Sequence, residues 1–248
     1  MRSVVKVAWQ SSSNGWKAEL LLAGPGEFER WSLSPGRSFN FEITDERRCT
    51  GYAPAPGERT PCPEFKKIER GSQCPECRGK DIYSDYVRGD DRTELEGDFS
   101  VYLAQISDKV KVGVTRSENV PKRWIEQGAD HATEILSGLE SRVALENESN
   151  LSEEGLKERI RKEDKLPSNN SSQALEEALK AYDLNGEVVD VNEKTVYPEA
   201  SGEIMRKGLF QGELESVKGQ IISNGRVALA LTSGKVVKKP EQKGLNSF

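Results

Sequence analysis

A chain of 248 residues with 31% charged and 35% hydrophobic residues argues against a membrane-embedded protein. Its longest apolar stretch, Val227–Leu231, is far from the ~18 residues a spanning helix needs. Thirty-six basic and 41 acidic residues leave a net charge of −5, which argues against non-specific coating of nucleic acid and confines any such contact to a local basic patch. A mean hydropathy of −0.68 implies thin apolar burial, so a further source of stability is expected. The opening Met1-Arg-Ser-Val-Val-Lys-Val has neither an apolar core nor a small-residue cleavage site, and a cytoplasmic protein with no membrane partner is expected.

In chain order, Val4–Trp9, Lys17–Leu22 and Phe39–Ile43 are short, β-branched or aromatic, and divided by Ser/Asn/Gly and Pro-Gly turns, which predicts a small antiparallel sheet. Residues 49–80 hold all four cysteines with little periodicity and read as loops that need a tether. Phe99–Ala104, a turn at Ser107-Asp108, Val110–Thr115 and a helix from about Val120 form a strand–strand–helix unit, and Ala132–Leu136 offers a third strand. The stretch from Leu139 to Lys165 is charged and helix-prone. A loop follows Pro167, and Ser172 is placed to cap a short helix. The remainder is β again: 186–191, 209–214, 220–223, 227–231 and 235–238, broken by glycine and Asn-Gly turns, with 240–248 expected to fray.

Cys49, Cys62, Cys74 and Cys77 are the entire cysteine supply, and the last two form a C-x-x-C knuckle in Cys74-Pro-Glu-Cys77-Arg-Gly. Such a turn lets two thiolates converge on one ion, and tetrahedral zinc takes four. Two disulfides are disfavoured by the intracellular setting, and a redox C-x-x-C would leave Cys49 and Cys62 idle. The spacing therefore predicts a structural zinc site with no open position. Glycine after the second knuckle is expected to permit the tight backbone that supplies N–H groups to sulfur.

Ser100-Val-Tyr102 is followed by Lys111-Val-Gly113-Val-Thr, then by Pro121-Lys122-Arg123-Trp124-Ile-Glu-Gln-Gly. This resembles the core of the GIY-YIG endonuclease superfamily, in which two adjacent strands carry the named tripeptides and an arginine follows on the first helix. Together with Cys49-Thr-Gly-Tyr, Pro61-Cys62-Pro and the late Val217-Lys218-Gly219-Gln220-Ile221, the pattern is similar to a prokaryotic domain-of-unknown-function family with a GIY-YIG-like centre, over scattered blocks from about 40 to 240. Lys111 stands where the superfamily has its second tyrosine.

The resemblance implies a catalytic set of Tyr102, Lys111, Arg123 and Glu148, with divalent-metal-dependent phosphodiester hydrolysis as the activity and Mg²⁺ or Mn²⁺ as the ion. Arg123 would meet phosphate. Tyr102 would align or deprotonate water if Lys111 lowered its pKa, and a neutral Lys111 could itself serve as base. The metal glutamate should lie on the helix after the third strand, where Glu148 fits and Glu146 fits nearly as well. Each has a plainer reading: a half-buried strand aromatic for Tyr102, solvated helix charges for Arg123 and the glutamates.

Five basic residues against two acidic ones between Gln105 and Trp124 give a local charge of +3. This patch nominates Lys109, Arg116, Lys122 and Trp124 for nucleic-acid contact, with Trp124 able to stack on a base or simply to pack. His131, the sole histidine, reads as part of a surface turn, and Lys218-Gly219-Gln220 as either a phosphate-facing amine or a glycine bulge.

The expected architecture is α+β in four segments: a zinc-stabilised β region over 1–95, a GIY-YIG-like small α/β centre over 96–165, a linker and helix over 166–185, and a C-terminal β region over 186–248. The expected function is nucleic-acid binding or processing. The alternative is a non-catalytic zinc-containing module for protein interaction.

Overall fold

The computed structural model describes residues 1–86 and 95–240. The expected fraying of the tail beyond residue 240 lies outside the described residues.

The chain opens with three consecutive antiparallel strands, β1 (Arg2–Ser12), β2 (Gly15–Gly24) and β3 (Glu27–Ser32), followed by β4 (Ser38–Arg48). Alternation puts Val7, Trp9, Leu20, Leu22, Phe41 and Ile43 on the inner face, where all are buried. Sequence periodicity did not reveal β3, because Glu-Phe-Glu-Arg-Trp-Ser exposes half of its side chains and buries none fully. Beyond β4 the chain condenses around the four cysteines, with the short strand β5 (Lys67–Ile68), the single-turn helix α1 (Pro75–Arg78) and α2 (Tyr83–Tyr86).

The central unit runs β6 (Phe99–Ile106), β7 (Lys109–Arg116), α3 (Val120–Gln127), β8 (His131–Leu139) and α4 (Ser141–Glu153). Its sheet has the order β7-β6-β8-β9, closed by β9 (Val189–Asp190). Every residue of β6 is buried, because both faces are covered. Tyr102, Ala104 and Ile106 face α3 and the first sheet, whereas Val101 and Leu103 face α4 and α5 (Gln173–Ala181). Two expectations are corrected here. The charged stretch after Leu139 is α-helical only to Glu153, with a single 3₁₀ turn at Lys162–Lys165; residues 157 and 158 between them run beside β7, with Val112 N–H donating to Lys157 C=O at 2.9 Å. His131 is not in a surface turn but begins β8, 5% exposed, with Nδ1 lacking a partner and Nε2 4.0 Å from Asp190.

The C-terminal strands β10 (Glu203–Met205), β11 (Gly208–Glu213), β12 (Ser216–Lys218), β13 (Ile221–Ser223), β14 (Val227–Ala230) and β15 (Lys235–Lys238) divide between two sheets. Strands β10, β14, β13 and β12 form their own sheet, whereas β15 enters the first sheet between β1 and β4, and β11 adds to the far side of β4. The first and last segments of the chain therefore share one sheet.

The Lys218-Gly219-Gln220 turn explains how the parts dock. Gly219 has φ +57°, and a Cβ there would lie 2.8 Å from the backbone nitrogen of Gly128, the left-handed residue that ends α3. Gln220 reproduces a strand partner for β1, accepting from Val7 N–H at 2.8 Å and donating to Val7 C=O at 3.1 Å beside the register shift at Val4/Lys6. Lys218 is turned inward, so neither a phosphate-facing amine nor a bare bulge describes this turn.

Candidate functional site

Cys49 follows β4, Cys62 closes a small loop bridged at Tyr52–Thr60, and Cys74 and Cys77 flank the start of α1. Their four Sγ atoms lie within 4.8 Å of one another, and all four residues are buried. Four thiolates at a Zn–S bond of 2.3 Å stand about 3.8 Å apart in a tetrahedron, so the cluster has the dimensions and donor set of a closed metal site. Cys49 Sγ accepts N–H groups from Cys74 at 3.2 Å and Gly51 at 3.5 Å. The essential glycine thus follows the first cysteine rather than the second knuckle. Gly51 has φ +83°, and a Cβ would meet Thr60 C=O at 2.0 Å, while Gly79 adopts ordinary right-handed helical angles. Burial pushes the Cys49 thiol up to about 11 and raises Cys77 as well. At Cys62 burial acts in the same sense, but the backbone N–H of Lys66, the neighbouring Cys49 and Cys77 thiols and the backbone N–H of Glu64 together outweigh it and hold the thiol below its ordinary value. A bound cation is the chemistry that keeps such thiols ionised.

The second constellation lies along the outer edge of β7. Tyr102 pairs across the hairpin with Gly113, and its ring occupies the place a Cβ would take there, 2.5 Å from the hydroxyl. Lys111, two residues earlier on the same strand face, has its Nζ 6.0 Å from the Tyr102 ring centroid and donates to Glu158 C=O at 2.7 Å. Arg123 reaches over from α3, sets its charge beside the Tyr102 hydroxyl, and is steadied by Glu126 at 3.4 Å and by the Gln127 side-chain oxygen at 3.0 and 3.3 Å. Glu148 approaches from α4, where its carboxylate faces Lys111, Arg123 and Glu158. Tyr102, Lys111, Arg123 and Glu148 are therefore neighbours. Glu146 points away and pairs with Arg142 at 3.3 Å.

Electrostatics assigns these groups different states. Burial raises the Tyr102 hydroxyl to about 12 against the opposing pull of Arg123, so it stays protonated, and Lys111 does not lower it as the sequence suggested. Tyr102 is also 1% exposed rather than half-buried. Lys111 is instead the perturbed group, pushed down to about 8 by burial and by the charge of Arg123. Lys165, 8% exposed, is lowered to about 8 by burial and by Lys111, Lys162, Lys218 and Arg123. Its ammonium donates to Gln127 C=O, a residue sequence inspection passed over because a lysine in a charged run gives no sign of burial. Burial also raises the Glu148 carboxyl, opposed by Lys111 and Arg123 and reinforced by Glu158.

The four residues nominated for nucleic-acid contact do not share one surface. Lys109 and Arg116 sit at opposite ends of β7, roughly 23 Å apart along an extended strand. Lys109 pairs with Asp164 at 2.9 Å, and Arg116 lies over the Phe99 ring at 5.4 Å. Lys122 lines a cavity of about 620 Å³ with Lys6, Arg30 and Arg59. Trp124 is 5% exposed in the main core, with its indole N–H unpartnered, so it packs rather than stacks.

Fold and site together define a strand-rich α+β protein with a buried four-cysteine cluster able to hold a metal ion, and no helix among the described residues is long and apolar enough to cross a membrane. The chain belongs to the family described as protein of unknown function (DUF2797), whose model matches residues 36–199, more than half of its length. The matched span contains the four cysteines and Tyr102, Lys111, Arg123 and Glu148, and ends before the Val217–Ile221 segment. No curated protein and no solved structure gives a significant match.

Proposed function

We propose that this protein binds a nucleic-acid phosphate at the outer edge of β7 and processes it by phosphodiester hydrolysis, in a GIY-YIG-like centre. One observation carries the reading. Lys111 and Lys165 are buried beside Arg123 with no ion pair within 4 Å among the described residues, and their mutual repulsion is relieved by an anion. Buried lysines are otherwise rare unless paired.

Arg123 clasps two phosphate oxygens with its planar fork. Tyr102, protonated and fixed over Gly113, holds the guanidinium in place. Lys111, with its proton released near pH 8, accepts the proton of an attacking water as the water oxygen bonds to phosphorus. One ester P–O bond breaks, and the departing oxygen takes a proton from solvent. Glu148, with Glu158 nearby, is the kind of donor set that Mg²⁺ or Mn²⁺ shares with substrate phosphates. Held by these carboxylates, such an ion would supply Lewis-acid polarisation of a phosphoryl oxygen. The four cysteines would hold zinc structurally, since four thiolates leave no open position. Cytoplasmic location accords with reduced, unpaired thiols.

A non-catalytic interaction module is the second reading, favoured by the burial of Tyr102 and the engagement of Arg123 by Glu126. Incubation with single- and double-stranded DNA and RNA in Mg²⁺ or Mn²⁺ tests both. Cleavage is expected, falling 10²-fold or more in Arg123→Ala and Lys111→Met with the fold retained. Salt-dependent binding without cleavage removes the hydrolytic step. Absence of both leaves the interaction module.

A further inference from the structure

A second basic constellation lies where the C-terminal segment returns to the first sheet. A cavity of about 570 Å³ opens there among β4, the 161–163 turn, the 206–207 turn between β10 and β11, and the segment leading into β15. Six cations line it: Arg47, Arg161, Lys162, Arg206, Lys207 and Lys235. Only two carboxylates accompany them, Asp45 and Glu163, and both are already engaged. Asp45 serves Lys207 and, at 3.1 Å, Lys235, while Glu163 serves Arg206.

Carbonyl and hydroxyl oxygens hold three of these cations in place, and two of the three, Lys162 and Arg47, have no counter-ion within 4 Å among the described residues. Lys162 Nζ donates to Leu231 C=O at 2.8 Å and Thr232 Oγ1 at 2.9 Å, Arg47 donates to the carbonyls of Gly71 and Ser233, and Lys235 donates to Arg206 C=O at 3.0 Å. Arg161 makes no ion pair among the described residues and is exposed. Like charges fixed this close repel, and the repulsion reaches Lys162, which burial and the charges of Lys235, Arg206 and Arg47 push down to about 8. An anion with several charges removes that repulsion at once.

We infer that this cavity is a binding site for a compact polyphosphate anion, a ligand bearing two or more linked phosphate groups. The concave shape suits a small ligand, and the excess of four cations over carboxylates exceeds what one orthophosphate neutralises. The inference is independent of the reading at Arg123, since the two sites share no residue.

Calorimetric titration of the full chain with pyrophosphate and inorganic triphosphate at 0.15 M salt tests it. One site per chain is expected, binding triphosphate at least tenfold more tightly than orthophosphate. The variants Lys162→Gln and Arg161→Gln should each weaken binding by tenfold or more, whereas Arg123→Ala should leave it unchanged. Arg161 is exposed, so its variant keeps the test valid should Lys162→Gln unfold. Equal weak binding of triphosphate, orthophosphate and sulfate overturns the inference. So does binding of an oligonucleotide, but not of triphosphate, that is lost in Arg161→Gln.

Discussion

Lys218 and Asp130 form an ion pair at 2.6 Å inside the protein, with the lysine side chain 6% exposed and the aspartate fully buried. The second carboxylate oxygen accepts Ser107 N–H at 2.7 Å, and the ammonium also donates to Ser168 Oγ at 2.9 Å. This pair therefore joins β12, the α3–β8 turn, the β6–β7 turn and the loop before α5. Removing one partner leaves a buried charge unpaired. Asp130→Asn and Lys218→Met should each destabilise by about 3–5 kcal/mol, and the double variant Asp130→Leu/Lys218→Met by much less than their sum. Urea unfolding measures all three.

Lys111 offers a test through pH. Its folded value of about 8 lies below the ordinary lysine value, so between the two the unfolded chain carries more protons than the folded one. Stability contributed by this group rises with pH across that window and is level below it. Lys111→Met, which carries no charge at any pH, should be more stable than the parent at pH 7 by on the order of 2–3 kcal/mol. The gain should shrink toward zero by about pH 10. Unfolding curves for parent and variant at pH 7, 8.5 and 10 give the comparison, and a gain independent of pH would show that charge burial is not its source.

Gly113 is required by the ring across from it. A methyl group there meets the Tyr102 Cζ at 2.6 Å, and Tyr102 is held on both sides by β7 and β8. Gly113→Ala should lower stability by about 1–3 kcal/mol, the range of overpacked cores. Adding Tyr102→Phe should relieve only part of the penalty, because the hydroxyl contact at 2.5 Å goes while the ring carbons at 2.6 and 3.0 Å remain. Adding Tyr102→Ala should remove it, so that Gly113→Ala has almost no effect in that background.

The cysteine cluster predicts one equivalent of metal per chain by elemental analysis. A strong chelator should abolish cooperative unfolding of the 49–82 region, because folding and metal binding share one free energy in such sites. Cys74→Ser should lose the metal. Gly51→Ala should mimic it in part, since the added methyl collides with Thr60 C=O and displaces an N–H donor from Cys49 Sγ.

Much of the local structure was legible from residue pattern. Alternation located β1, β2, β4, β6 and β7, and the cysteine spacing located the four-cysteine cluster, because both signals are short-range. Glu148 was preferred over Glu146 only through a resemblance, and helical spacing could not separate them; the packing of α4 does, turning Glu148 toward Lys111 and Arg123 and leaving Glu146 exposed against Arg142. Trp124 stayed open between packing and stacking, because an aromatic in a basic stretch looks the same in either role. Ser172 shows a related limit. Its side chain donates to Glu176 rather than capping α5, and Gln105 of β6 caps the helix instead by accepting Leu175 N–H at 2.9 Å.

By itself, the order of residues determined many of the segments that extend, where α3 and α5 begin and which thiols meet, since each depends on neighbours a few positions away. Only the tertiary structure decided that β15 lies between β1 and β4 and that four lysines enter the interior, among them Lys218 against Asp130. It also decided that the tyrosine stays protonated while Lys111 is the group poised near neutrality. A pKa is set by the charges and the water excluded around a group, and these come from residues far away in the chain.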